Sequence, residues 1–175
     1  LPKSFSQLSA LENLNVGGNK LKTLPSTDNW KQLREFKCHQ NNLVMLPSFA
    51  QMTALEFLKM DMNRALQEMP EFGDSMAVLK HLELNSCDFR AVSQSIVGMN
   101  ALETLNVQGN KIETLPDLAN ASLGIFNCSS NKIQKLPASL AACKSLRVFF
   151  IQGNALTADP ESIPEALGAL PALER

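Results

Sequence analysis

The stretch LNVGGNKLKTLP, residues 14–25, returns at residues 105–116 as LNVQGNKIETLP. The two copies lie 91 residues apart and differ at three positions. A duplicated unit should leave fainter echoes in between, and it does. Aligning on the two copies gives a frame, LxxLxLxxNxL, that registers seven times. The first registration is Leu11, Leu14, Val16, Asn19, Leu21, and the second is Leu33, Phe36, Cys38, Asn41, Leu43. The third takes Leu55, Leu58, Met60, Asn63, Ala65, and the fourth Leu79, Leu82, Leu84, Cys87, Phe89. The fifth is Leu102, Leu105, Val107, Asn110, Ile112. Leu123, Phe126, Cys128, Asn131, Ile133 and Leu146, Phe149, Ile151, Asn154, Leu156 complete the series, at spacings of 21 to 24 residues.

The period-two alternation at the centre of the frame is that of a half-buried strand, one face inward and one outward. Each strand is too short to stand alone. Stacking buries its leucines against the next coil, at roughly 1.5–3 kcal/mol for each large apolar side chain. The recurrent Asn falls where the chain leaves the strand, and its amide can satisfy backbone groups of its own and the adjacent coil. Cys87 cannot supply that amide, so an irregularity is expected there. Strands are expected near Asn15, Lys37, Lys59, Glu83, Asn106, Asn127 and Phe150.

This frame resembles the leucine-rich repeat over nearly the whole chain. Leu24-Pro25, Leu46-Pro47, Leu115-Pro116 and Leu136-Pro137, with Met69-Pro70 as a variant, are similar to the LPxxLxxLxxL subtype. The resemblance implies a right-handed α/β solenoid: a horseshoe with a parallel concave sheet and short helices or 3-10 turns on its convex side. It also implies the company of Ras-pathway scaffolds, plant and protist cytosolic proteins, and bacterial effectors.

A second apolar column stands three residues before each leading leucine: Leu8, Trp30, Met52, Met76, Met99, Cys143 and Leu170. Asn120 is the exception, in the shortest repeat, where little room remains for a helical turn. From Leu146 to Leu173 the spacing widens to 27 residues, and Pro160 and Pro164 in the excess predict a loop that then starts a helix. LPKSFSQLSAL reads as the tail of an earlier coil and LPALER as the start of a later one. Residues 1–175 are therefore expected to form a single solenoid, excerpted from a longer chain.

Composition gives no argument for nucleic acid or a charged membrane surface, with 45% hydrophobic residues, 19% charged and a formal net charge of -1. No apolar run approaches the roughly 18 residues that span a bilayer. Cys38, Cys87, Cys128 and Cys143 lack zinc-ligand spacing, so no metal and no cofactor is expected. Cys38 and Cys128 share the inward sixth position four strand steps apart, about 19 Å, too far for a disulfide. Reduced thiols and a cytoplasmic, intracellular setting follow as expectations.

Other chemistry reads weakly. The Gly-Gly of VGGNK lacks the remaining signature of a phosphate loop and is read as relieving crowding at the strand end. Cys38 and His39 point to opposite faces and cannot form a dyad. His39 and His81, on the order of 15 Å apart over two strand steps, cannot share an ion. The sequons at Asn120 and Asn127 read as incidental.

The outward strand positions remain, as columns along the concave sheet. Phe57 and Met62, flanked by Lys37, Lys59, His39, His81 and Glu83, form one mixed patch. Ile125, Val148 and Phe150 form an apolar one. With no catalytic constellation in the chain, the reading is a protein-binding scaffold or adaptor that takes a protein partner on this face. Two rivals stay open. One is the recognition part of a larger enzyme, such as a secreted bacterial ubiquitin ligase or a repeat-bearing kinase. The other is a structural subunit of a large assembly.

Overall fold

The computed structural model of the chain describes residues 1–72 and 76–173. Glu174 and Arg175, at the end of the stretch read as a further coil, lie outside the described residues. Seven strands, β1 (Asn13–Asn15), β2 (Glu35–Lys37), β3 (Phe57–Lys59), β4 (His81–Glu83), β5 (Thr104–Asn106), β6 (Ile125–Asn127) and β7 (Val148–Phe150), form one sheet in chain order. Every pairing is parallel, and each strand's first residue stands opposite the next strand's first. The strands centre on the inward residues Leu14, Phe36, Leu58, Leu82, Leu105, Phe126 and Phe149. The expected centres, Asn15 to Phe150, are their last residues.

One contiguous core runs through the coils. Phe36, Leu58, Leu82, Leu105 and Phe126 are fully buried. The end coils cover their cores less well: Leu11, Leu21, Phe149, Ile151 and Leu156 are only partly buried. In the convex column Trp30, Met52, Met76, Met99 and Cys143 are buried, whereas Leu8 is 42% exposed. Asn120 takes the same buried place by satisfying its amide. Its Nδ2 donates to the Met99 carbonyl at 2.7 Å, and its Oδ1 accepts from the N–H groups of Ser122 and Leu123. The return path crosses in 3-10 turns at Lys3–Gln7, Gln94–Gly98, Ala138–Ala142 and Glu165–Ala169, the last entered at Pro164 as the proline pattern predicts. No 3-10 turn forms in the short Asn120 repeat.

The asparagine column holds the coils together. Asn110 Nδ2 donates to the carbonyls of Leu84 (2.9 Å) and Val107 (2.8 Å), in two successive coils, while its Oδ1 accepts from Phe89 N–H. Asn41, Asn63, Asn131 and Asn154 repeat the arrangement. At Cys87 the amide is missing; the buried thiol offers only a weak donor, 3.6 Å from the Met60 carbonyl. The disturbance falls in the preceding coil. Residues Asn63 to Leu66 close a turn through Leu66 N–H to the Asn63 carbonyl, which lifts Ala65 to the surface. Leu66, 2% exposed, fills the core place that the frame assigned to Ala65. The extra residue of this coil is spent in that turn.

Candidate recognition surface

The eighth position of every coil, at the exit from the strand, is left-handed: Gly18, Gln40, Met62, Ser86, Gly109, Ser130 and Gly153 all have φ between 51° and 69°. Glycine suits that conformation, and this accounts for Gly18, Gly109 and Gly153 better than the expected crowding. Crowding belongs to Gly17, where a Cβ would run into the His39 ring. His39 is accordingly half-buried over the Gly17 backbone, and its Nδ1 is enclosed without a hydrogen-bond partner among the described residues. Cys38 beside it is fully buried on the opposite face.

The first expected patch assembles. Phe57 and His81 are register partners, with ring centroids 5.8 Å apart, and Lys37 Nζ lies 5.2 Å from the Phe57 centroid. That distance is within cation–π range. Met62 stands 44% exposed at the edge of this group, its sulfur 3.3 Å from Gln40 Nε2. The two lysines are less available than the sequence suggests. Lys37 pairs with Glu35. Lys59 pairs with Asp61 at 2.7 Å and with Glu83. Burial lowers the Lys59 pKa, but its hydrogen bonds to Asp61 and Glu83 outweigh that and raise it. Burial also pushes the Asp61 carboxyl upward, against the pull of Lys59. Asp61 and Ser129, which follow their strands at the place His39 takes in coil two, are buried.

The second patch is split by depth. Ile125 and Val148 are register partners and half-buried, while Phe150 is 44% exposed beside Asn127. Around them the outward residues of β5 to β7 and the positions just beyond are uncharged: Thr104, Asn106, Gln108, Asn127, Ser129 and Gln152. All the charges of the outward columns therefore lie in coils two to four. Along the rim, one position ahead of β1 to β5, charges alternate as Glu12, Arg34, Glu56, Lys80 and Glu103. Glu56 pairs with both Arg34 and Lys80, whose cations hold its carboxyl below the usual range. At Asn120 and Asn127 the amides are engaged in the fold, Asn127 Nδ2 donating to Gln108 Oε1. Neither amide stands free on the surface.

One exposed apolar pair escaped the column reading. Val44 and Met45 are 57% and 63% exposed on the flank between concave and convex sides. The signal was present: where coil two writes LVMLP, the other clear copies write LKTLP, LQEMP, IETLP and IQKLP, with polar residues at both middle places.

No family model matches the chain. It is 26% identical over 178 residues to the rat volume-regulated anion channel subunit LRRC8D, covering 97% of this chain and 20% of that protein. It is 28% identical over 163 residues to human Toll-like receptor 9, covering 90% of this chain and 14% of the receptor. The chain thus spans a fifth or less of the curated relatives it matches. Among solved structures, a leucine-rich-repeat protein of Leptospira interrogans superposes with a TM-score of 0.88 at 26% identity, covering 100% of this chain and 44% of that one. A plant peptide hormone receptor, RGFR1 in complex with RGF2, shares the fold with a TM-score of 0.62 at 20% identity, over 89% of this chain and 30% of that one. The repeat frame, the single parallel sheet and these likenesses agree: the chain is a leucine-rich-repeat protein.

Proposed function

We propose that the chain is a non-catalytic recognition module that takes a protein partner on its concave face, as part of a scaffold or adaptor. The observation that carries this reading is the Phe57–His81–Lys37 group, an aromatic cluster displayed on in-register strands. Such side chains lose little freedom on binding, and aromatic anchors tend to dominate affinity. Because Lys37 and Lys59 already hold internal carboxylates, the partner meets aromatic and apolar surface at Phe57, Met62 and His81 more than free charge. Ile125, Val148 and Phe150 extend that contact across the uncharged half of the sheet. The plant receptor of the same fold, solved in complex with RGF2, lends support as a relative caught with a bound partner. An intracellular setting belongs to the proposal and is supported by four buried, unbridged thiols.

The test starts with capture of a partner by the intact chain and its identification by mass spectrometry, followed by titration calorimetry. Phe57→Ala and Phe150→Ala should each weaken binding, by about 2 kcal/mol at a true hot spot, with the melting temperature nearly unchanged. Unchanged affinity in both, together with loss of binding from convex substitutions, would hand the function to the assembly-subunit reading.

A further inference from the structure

The turn that lifts Ala65 also opens the flank between coils two and three. At the junction of coils one and two, Asn42 N–H donates to the Leu21 carbonyl and Val44 N–H to the Lys22 carbonyl. At the junction of coils four and five, Lys111 donates to Phe89 and Glu113 to Arg90 in the same way. At the other junctions the first bond recurs, as Asp88 to Leu66, Lys132 to Ile112 and Ala155 to Ile133, without the second; between coils two and three neither forms among the described residues. By the register of their neighbours the Leu43 and Val44 carbonyls face coil three, yet among the described residues neither accepts a hydrogen bond from it. A notch results, with Val44 and Met45 on one wall and Ala65, Gln67 and Met69 on the other. Its walls are the flank's exposed apolar pair, and its charge is polarised. Lys22 and Arg64 stand at the end nearer the concave sheet, and Glu68 and Glu71 at the end nearer the convex side. None of these four forms an ion pair among the described residues, and neither does Arg90 in the next coil.

We propose that this notch is a second docking site, occupied by an extended segment of a protein partner that carries large apolar residues between an acidic and a basic one. The apolar residues cover Val44 and Met45. The acidic residue meets Lys22 and Arg64, and the basic one meets Glu68 and Glu71. A main-chain N–H of the segment satisfies the carbonyl of the exposed Val44, a single strand-addition contact. The site adjoins the concave patch at Met62, which borders its basic end, while Phe57 and Phe150 lie outside it, so it stands or falls independently of the function proposed above.

The probe is an array of synthetic decapeptides with a central apolar quartet. One class has Asp or Glu on one side and Lys or Arg on the other, in both directions; control classes have like charges on both sides. The intact chain should bind the opposite-charge class at least tenfold better than either control. Val44→Glu with Met45→Glu, both on exposed positions and checked for an unchanged melting curve, should abolish the preference, while Phe57→Ala should leave it intact. A chain that shows no class preference overturns the proposal. So does a preference that survives the double substitution, or one that Phe57→Ala removes, since the peptides then sit on the concave face.

Discussion

At the scale of single residues, burial decides chemistry more than residue type does. The four thiols are the plainest case. Burial pushes Cys38 and Cys128 up to about 12 and Cys87 to about 11, from an ordinary value of 9.0, and raises Cys143 as well. The nucleophile is the thiolate, so none of the four should react with a maleimide at pH 7.5 until the chain unfolds. Rapid native labelling of Cys38 would contradict its placement. The same shifts fix a pH dependence. A group whose folded pKa lies above its unfolded value keeps its stabilisation below the unfolded pKa and loses it as pH rises through the folded one. The thiols' contribution to stability should therefore be level below about pH 8 and fall progressively between 9.0 and about 12, which denaturant titrations across that alkaline range can read. His39 shows the converse of prediction from type. It looks like a surface histidine in the sequence, yet the missing Cβ of Gly17 lets its ring settle half-buried on the backbone of the neighbouring coil.

At the scale of the element, each coil is a strand, an asparagine turn and a return path, and the three were not equally legible. The strands and their register could be read because burial on one face imposes period two, and a slip of one residue would expose every leucine. The asparagine turn could be read because one side chain does the same bonding in coil after coil. The return path could be read only in its buried column and in the turn entered at Pro164, since several backbone routes satisfy one buried contact. Ala65 shows why: the frame counts two residues beyond Asn63, while the structure counts three back from Met69 to Leu66. The candidate site was legible in part for the same reason. Phe57, His81 and Phe150 follow from alternation alone, but the capture of Lys59 by Asp61 and Glu83 depends on distances between coils. The asparagine turn carries its own prediction. Asn110→Ala removes donors to Leu84 and Val107 and the acceptor for Phe89, stranding buried backbone groups. It should destabilise by about 2–3 kcal/mol, measured by urea unfolding. Cys87→Asn, which supplies an amide where none stands, should not destabilise at all.

At the scale of the whole molecule, contacts join each coil to its neighbours and to little else, so stability is a sum over junctions. The outer junctions are the poorer ones: Leu14 and Val16 are each 9% exposed and Phe149 and Ile151 only half-buried, against complete burial of Leu58, Leu82 and Leu105. Native-state hydrogen exchange should accordingly be slowest at the amides of β3 to β5 and fastest in β1 and β7. Uniform protection across all seven strands would show a cooperativity that these contacts do not provide. The identical register at every junction has a further consequence, for inheritance. Strand starts are 21 to 24 residues apart, yet first residue always meets first residue, because every difference in length is absorbed between the strands. The near-copies at residues 14–25 and 105–116 are interchangeable in that geometry. An in-frame copying error that joined Thr104 to a second Leu14 would rebuild the strand Thr104-Leu-Asn and insert four coils without creating a new kind of junction. The span of the concave surface is thus a quantity that ordinary gene slippage can lengthen by whole coils, while the fold stays the same.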